Sequence, residues 1–308
     1  MKVFIGVDGS QGAREAVRQA ARLLSPERDV VLLYHAPVGG HLPGERRFSP
    51  ELVEKMHRSL AQAVFDDATA LLPTELQGRV ERIVGAHGPR QGLVQAAIEA
   101  QADLIVVGAR GLSRLQRLLL GSVSNAVAHD SPLPVLVARP QSERPAVEPL
   151  RVLLAHDGEQ ISHQAAELAG RLRWPEGTIG RVVSVVDTIF GAELPDWLAQ
   201  QARDSETEAL AAAWVREHEA KKAAQAQALL ELERRLAGLF TARPPILLEG
   251  DPAERILRTI ETEGIDLVIL GGRRLTPASR LLLGSTSQKV LAHAPCSVLL
   301  VREQETVH

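Results

Sequence analysis

One stretch of this chain occurs twice, and the repetition limits what the chain can fold into. Residues 104–124 read LIVVGARGLSRLQRLLLGSVS and residues 267–287 read LVILGGRRLTPASRLLLGSTS. With Gly108 set against Gly271, ten of the seventeen positions from Gly108 to Ser124 are identical, too many for a chance recurrence of composition. Each copy follows one plan: an apolar run, a glycine turn, a basic segment, then Gly-Ser opening a helix. The apolar run, rich in β-branched residues, suits a buried parallel strand. Glycine just beyond it lets the backbone turn sharply and come close to a ligand. Gly-Ser ahead of a helix leaves free amide donors at the positive end of the dipole, which favours an anion. Gly108, Gly111, Gly121 and Ser122 therefore frame a candidate phosphate cradle. The plain alternative is ordinary turns with Ser122 as an ordinary cap. The second copy separates the two: Gly271, Gly284 and Ser285 persist, but Arg274 stands in the place of Gly111. A glycine that the fold requires should recur, so Gly108 and Gly121 fit structural roles and Gly111 is the better functional candidate.

The remainder of the chain repeats around that stretch. MKVFIGVDGS at the start is echoed by LRVLLAHDGE at 150–159, with Asp157 in the place of Asp8, and PLPVLVAR at 132–139 by PCSVLLVR at 295–302. Between these landmarks, apolar runs at 2–7, 30–36, 79–84, 103–107 and 134–138 alternate with helical periodicity, the pattern of βαβ units and a parallel sheet covered on both faces. The segment 140–149, PQSERPAVEP, reads as a linker. The expected organisation is thus two tandem doubly wound α/β domains, 1–140 and 150–303, each five-stranded. The second copy is longer between its second and third strands, in an Ala-, Glu- and Gln-rich stretch from about Asp196 to Phe240. A single helix of that length would outreach a small domain, so a bent pair is expected. Trp197 and Trp214 within it read as core rather than contact surface.

Composition excludes more than it identifies. A formal charge of −3 argues against a protein that envelops nucleic acid. No run approaches the ~20 apolar residues that span a bilayer, and the N-terminus carries no cleavable leader pattern, so a cytoplasmic, non-membrane protein is expected. The single cysteine, Cys296, beside Pro295 and ahead of SVLLV, reads as a small buried apolar residue. The chain holds no Gly-x-Ser-x-Gly elbow, no Gly-x4-Gly-Lys-Ser/Thr loop and no His-Glu-x2-His. His87 and His129 read as structural or solvated, and Asp66 and Asp67, adjacent on a helix, point apart. Arg110, Arg114 and Arg117 crowd the cradle, with solvated surface the default for at least two of them. In open α/β sheets ligands bind beyond the strand C-termini, which puts Asp8 after strand one and Gly108–Gly111 after strand four at one switch point.

Gly108-x2-Gly111-x9-Gly121-Ser122, with Asp8 after strand one and a terminal PVLVA strand, resembles the universal stress protein (UspA) family over nearly the whole chain. The resemblance implies a Rossmann-like fold of the adenine nucleotide α-hydrolase type and binding of ATP (or AMP or ADP) with Mg2+. It implies adenine near the backbone of Ala36, ribose at Asp8, and the nucleotide's edge along Val107 and Gly108. Phosphates would lie on Gly111, Gly121, Ser122, Val123 and Ser124. In the second half Asp157, Gly271, Gly284 and Ser285 match while Arg274 departs, which puts ATP there in doubt. Family members pair through their last strands, so the resemblance implies an intramolecular pseudo-dimer, and homodimers are expected through other surfaces. The expected function is a nucleotide-dependent stress-response module with at most slow ATP turnover. A nucleotide-independent interaction protein and an adenylating enzyme are the alternatives, the latter without a catalytic base to support it.

Overall fold

In a computed structural model the described residues are 1–36, 49–85, 87–111, 120–140, 149–187, 205–236, 238, 243–272 and 283–302. Arg114, Arg117, Trp197, Arg273, Arg274, Pro277 and most of the 140–149 linker lie outside them. Strands β1 (Lys2–Gly6), β2 (Val30–His35), β3 (Val80–Val84), β4 (Leu104–Gly108) and β5 (Val135–Ala138) belong to the first repeat. Helices α1 (Gln11–Leu23), α2 (Pro50–Ala70), the short α3 (Thr74–Gln77), α4 (Pro89–Glu99) and α5 (Ser122–Asp130) connect them. The second repeat restates the plan with β6 (Arg151–Ala155), α6 (Gln160–Arg171), β7 (Ile179–Val186), α7 (Ser205–Arg235), β8 (Ile246–Glu249), α8 (Pro252–Glu263), β9 (Leu267–Gly272), α9 (Ser285–His293) and β10 (Ser297–Arg302).

All ten strands form one sheet, in the order β3-β2-β1-β4-β5-β10-β9-β6-β7-β8. Within each repeat every pairing is parallel, because each strand follows a helical crossover. The chain runs outward through β1, β2 and β3, then returns to the other side of β1 as β4. That reversal opens a crevice at the carboxyl ends of β1 and β4.

The seam between repeats is the one antiparallel pairing among these strands, β5 against β10, with Val137 opposite Val298, Leu136 opposite Leu299 and Val135 opposite Leu300. All six side chains are fully buried. Apolar side chains thus continue across the seam on both faces. One face packs beneath α1, α2, α6 and α7 and the other beneath α4, α5, α8 and α9. Cys296 is buried beside this seam, and burial pushes its thiol up to about 12, well out of the reactive range.

Two equivalent arginines cross the seam in opposite directions. Arg139, just after β5, donates from Nη2 to the Leu291 carbonyl in the last turn of α9 (2.6 Å), and its backbone N–H donates to Ser297 Oγ (3.1 Å). Arg302, at the end of β10, donates from Nη2 to the Ala128 carbonyl and to that of His129 (2.9 Å), in the last turn of α5. Each repeat therefore supplies a cation to the negative end of the other repeat's helix, where carbonyls have no helical partner. Arg302 is 2% exposed. Burial lowers the Arg139 guanidinium from its ordinary value without discharging it.

Within the extended stretch of the second repeat, Ser205–Arg235 is one helix of 31 residues, with neither glycine nor proline inside and many strong helix formers. Residues 196–204, where the other member of an expected bent pair would fall, lie outside the described residues. Trp214 is half-buried and stacked on His218 of the same helix, with ring centroids 5.9 Å apart, and neither wholly core nor free surface. Among the described residues no helix is long and apolar enough to cross a membrane.

Replacing Arg302 by alanine leaves the last-turn carbonyls of α5 buried without their cation. The expected result is a loss of about 2 kcal/mol in unfolding free energy, read by urea denaturation. An unchanged midpoint would contradict the capping role given to it.

Candidate functional site

A cavity of about 520 Å³ opens at the switch point of the first repeat, lined by Asp8, Ala36, Val107, Gly108, Gly111, Gly121, Ser122, Val123 and Ser124. Asp8 enters from the end of β1. Its Oδ1 accepts from the Ser10 N–H (2.9 Å), across a turn that Gly9 makes at φ +78°. Ser10, not Asp8, caps α1, its Oγ accepting from the Ala13 N–H at 3.1 Å. That leaves Asp8 directed at the cavity. Ala36 follows β2, where His35 Nδ1–H donates to the Val7 carbonyl at 2.9 Å and so fixes the ring beside the site.

The loop after β4 is pressed against α1. A Cβ on Gly108 would come within 2.3 Å of the Gly12 backbone, and one on Gly12 within 1.8 Å of the Arg110 carbonyl. Gly108 is thus a packing glycine, and Gly12, which no motif marked, is its counterpart. Gly111 differs: among the described residues a Cβ there would meet only Asp8, 2.8 Å from Oδ2, and no backbone atom. A side chain at Gly111 therefore disturbs first the Asp8 carboxylate and the cavity.

Helix α5 starts at the cavity's far end. Its cap Gly121 makes no side-chain capping bond and its first turn carries no acid, so helix geometry turns the amides of Ser122, Val123 and Ser124 outward as donors. The Ala109 carbonyl accepts from both the Gly121 N–H (2.7 Å) and Ser124 Oγ (2.9 Å), which closes the base of the loop. The Ser124 hydroxyl proton is therefore spent internally, and what Ser124 offers an anion is its main-chain N–H. Of the candidate arginines Arg110 lines the cavity; Arg114 and Arg117 lie outside the described residues.

Other lining residues carried no sequence signal. Tyr34 of β2, Leu60 and Val64 of α2, and Leu93 of α4 form an apolar wall. Burial raises the Tyr34 phenol, so it stays neutral. Asp66 and Asp67, expected to point apart, pair with Arg82 (3.0 Å) and Arg14 (2.8 Å) respectively. Among the described residues no group of three or more His, Cys, Asp or Glu gathers to hold a metal, and Asp8 is the one carboxylate lining the cavity.

The second repeat has an equivalent cavity of about 330 Å³, lined by Asp157, Gly271, Gly284 and Ser285. Asp157 Oδ1 accepts from the Glu159 N–H (3.1 Å), as Asp8 does from Ser10. Ile161 replaces Gly12, and the missing Cβ of Gly271 faces it, 2.8 Å from Ile161 Cγ2. Where the first repeat has Val7, the second has His156, stacked edge-on against His163 with Nε2 3.2 Å from His163 Nδ1. His156 Nδ1 accepts from the Gly158 N–H (3.3 Å), so the proton of the neutral ring sits on Nε2 and is donated to His163. Burial first, then His163, pulls His156 from 6.5 to about 4, against the opposing pull of Asp157.

These surroundings carry comparisons with known proteins. Residues 1–139 and 150–302 each match the model of the universal stress protein family. A universal stress protein from Thermus aquaticus, described by its place in the QAH/OAS sulfhydrylase 3' region, is 36% identical over 151 residues, 49% of this chain and 97% of its own. One from Mycolicibacterium smegmatis is 26% identical over 314 residues, 97% of this chain and 96% of its own. The crystal structure of a universal stress protein from Archaeoglobus fulgidus DSM 4304 aligns over 98% of both chains with a TM-score of 0.64 at 18% identity, a likeness of fold.

The histidine pair yields a pH-dependent outcome. An unfolded chain protonates this position near 6.5 and the folded one only near 4, so the unfolded state binds more protons between those values. Stability is full above about pH 6.5 and falls as pH drops, by about 2 kcal/mol at pH 5. His156→Val, which installs the first repeat's residue, should remove that share of the difference in urea unfolding between pH 7 and pH 5. An identical pH dependence in the variant would contradict the assignment.

Proposed function

The chain belongs to the universal stress protein family, and on that premise we propose that residues 1–140 bind ATP with a divalent ion while residues 150–303 do not bind it. The protein then acts as a nucleotide-dependent stress-response module whose two halves form an intramolecular pseudo-dimer. One observation carries the reading: the open amides of α5, the Asp8 carboxylate and the bare backbone of Gly111 line one cavity together with an apolar wall. Phosphates sit on the Ser122, Val123 and Ser124 amides, with the bare backbone of Gly111 beside them. Asp8 takes the ribose hydroxyls, and the base lies near Ala36 and Val107 against Tyr34, Leu60, Val64 and Leu93. AMP or ADP would use the same contacts with fewer phosphates.

A divalent ion fits this arrangement only as the nucleotide's companion. Mg2+ keeps water and phosphate ligands and needs one or two carboxylates, and Asp8 is within the same cavity. The second cavity supports a division of labour. It is smaller, Ile161 narrows it, and the sequence places Arg274 where Gly111 leaves bare backbone.

Calorimetric titration of ATP into the wild type and Gly111→Arg tests the proposal. The variant is expected to bind at least about tenfold more weakly with an unchanged unfolding midpoint, since among the described residues the new side chain meets the Asp8 carboxylate and no backbone. Equal affinities would contradict it.

A further inference from the structure

The two cavities are built on one plan and differ at one wall. In both, an aspartate ends the first strand, a glycine ends the fourth, and a Gly-Ser helix start closes the far side. Pro89 and Leu93 at the start of α4 correspond to Pro252 and Ile256 at the start of α8, so that side remains apolar. The helix between second and third strands does not keep its character. α2 presents Leu60 and Val64, one turn apart, and α7 presents Lys221 and Gln225 at the same spacing. An apolar wall suited to the face of a base has become a cation beside an amide.

The amide is costly where it stands unless something meets it. Gln225 is 8% exposed, lines the cavity, and its Oε1 is buried with no hydrogen-bond partner among the described residues. A buried acceptor left unpaired costs stability that a donor on a ligand would return. Across the cavity, α9 begins at Ser285 behind Gly284, again with no side-chain capping bond and no acid in its first turn. The Ser287 hydroxyl is spent on the Gly271 carbonyl (2.8 Å), as Ser124's is in the first repeat, so the anion-facing groups are main-chain amides.

Charge narrows the class of ligand. Among the described residues Asp157, Glu159 and Asp187 line the second cavity against Lys221, whereas the charged residues lining the first are Asp8 and Arg110. Three carboxylates repel a triphosphate, yet they accept well from hydroxyl groups. A ligand that satisfies both ends has one anionic group for the α9 amides and Lys221, and several hydroxyls for the carboxylates and Gln225.

We infer that the second cavity is a binding site for a small hydroxylated phosphomonoester of the sugar-phosphate class, chosen by the Lys221–Gln225 wall of α7. The site is separate from the ATP cavity and does not require it, so the second repeat senses a different metabolite class from the first.

Ribose 5-phosphate titrated into the full chain by calorimetry is the test. One equivalent is expected to bind, and to bind equally to Gly111→Arg, whose substitution lies in the other repeat. Lys221→Leu, at an exposed position that leaves folding intact, should weaken it by about tenfold, and Gln225→Val by a similar factor. Failure of ribose 5-phosphate to bind at millimolar concentration would overturn the inference. So would inorganic phosphate binding as tightly, since the hydroxyl contacts would then contribute nothing. ATP filling this cavity as a second equivalent, lost in Lys221→Leu, would also overturn it.

Discussion

The structure depends on the antiparallel meeting of β5 and β10. Each strand is apolar on both faces and ends its repeat, so alone it would present an unpaired, hydrophobic edge. Pairing them satisfies the backbone and buries six aliphatic side chains, each contributing on the order of 1.5–3 kcal/mol relative to exposure. The orientation follows from connectivity. Two copies of one parallel unit related by a two-fold axis can join at the same strand only in opposite directions. The outer edges of the joined sheet then fall to β3 and β8, the strands farthest from the seam.

The crossed arginines give that seam a consequence for both cavities. Helices α5 and α9 point their amino ends at the cavities and their carboxyl ends at the seam. Arg302 holds the carboxyl end of the first and Arg139 that of the second. A helix whose amides are to serve as an anion site must keep its axis fixed, and here the restraint comes from the opposite repeat. Two burials of positive charge are the cost, tolerated because carbonyls that lack helical partners accept from each guanidinium. The two repeats share this framework and differ in what lines or borders the cavities: Gly12 against Ile161, Val7 against His156, Leu60 and Val64 against Lys221 and Gln225.

Much of this was legible in the residues. The strands and their parallel, doubly wound arrangement followed from apolar runs between helical patterns. The first cavity followed from a glycine loop that recurs with one glycine missing, since Arg274 for Gly111 separates a ligand-facing glycine from a packing one. The space around the two glycines differs among the described residues: a Cβ on Gly108 would strike the α1 backbone and one on Gly111 the Asp8 carboxylate. The unread part was tertiary. Gly12 looks like an indifferent helix residue until the Arg110 carbonyl arrives from far along the chain. Leu60 and Val64 carry ordinary helical periodicity, and nothing local says their face overhangs a strand end. His156 and His163 belong to a strand end and a helix that meet only when the turn at Gly158 closes. The unbroken run of α7 follows from the absence of any helix breaker in Ser205–Arg235.

One framework, copied and joined to itself, carries two cavities of unlike lining, and the function proposed for the chain gives ATP to the first alone. Equilibrium dialysis of the full chain against saturating radiolabelled ATP and Mg2+ tests that claim most directly, because it counts sites without altering them. One ATP per chain is the result predicted, and two per chain or none would contradict it.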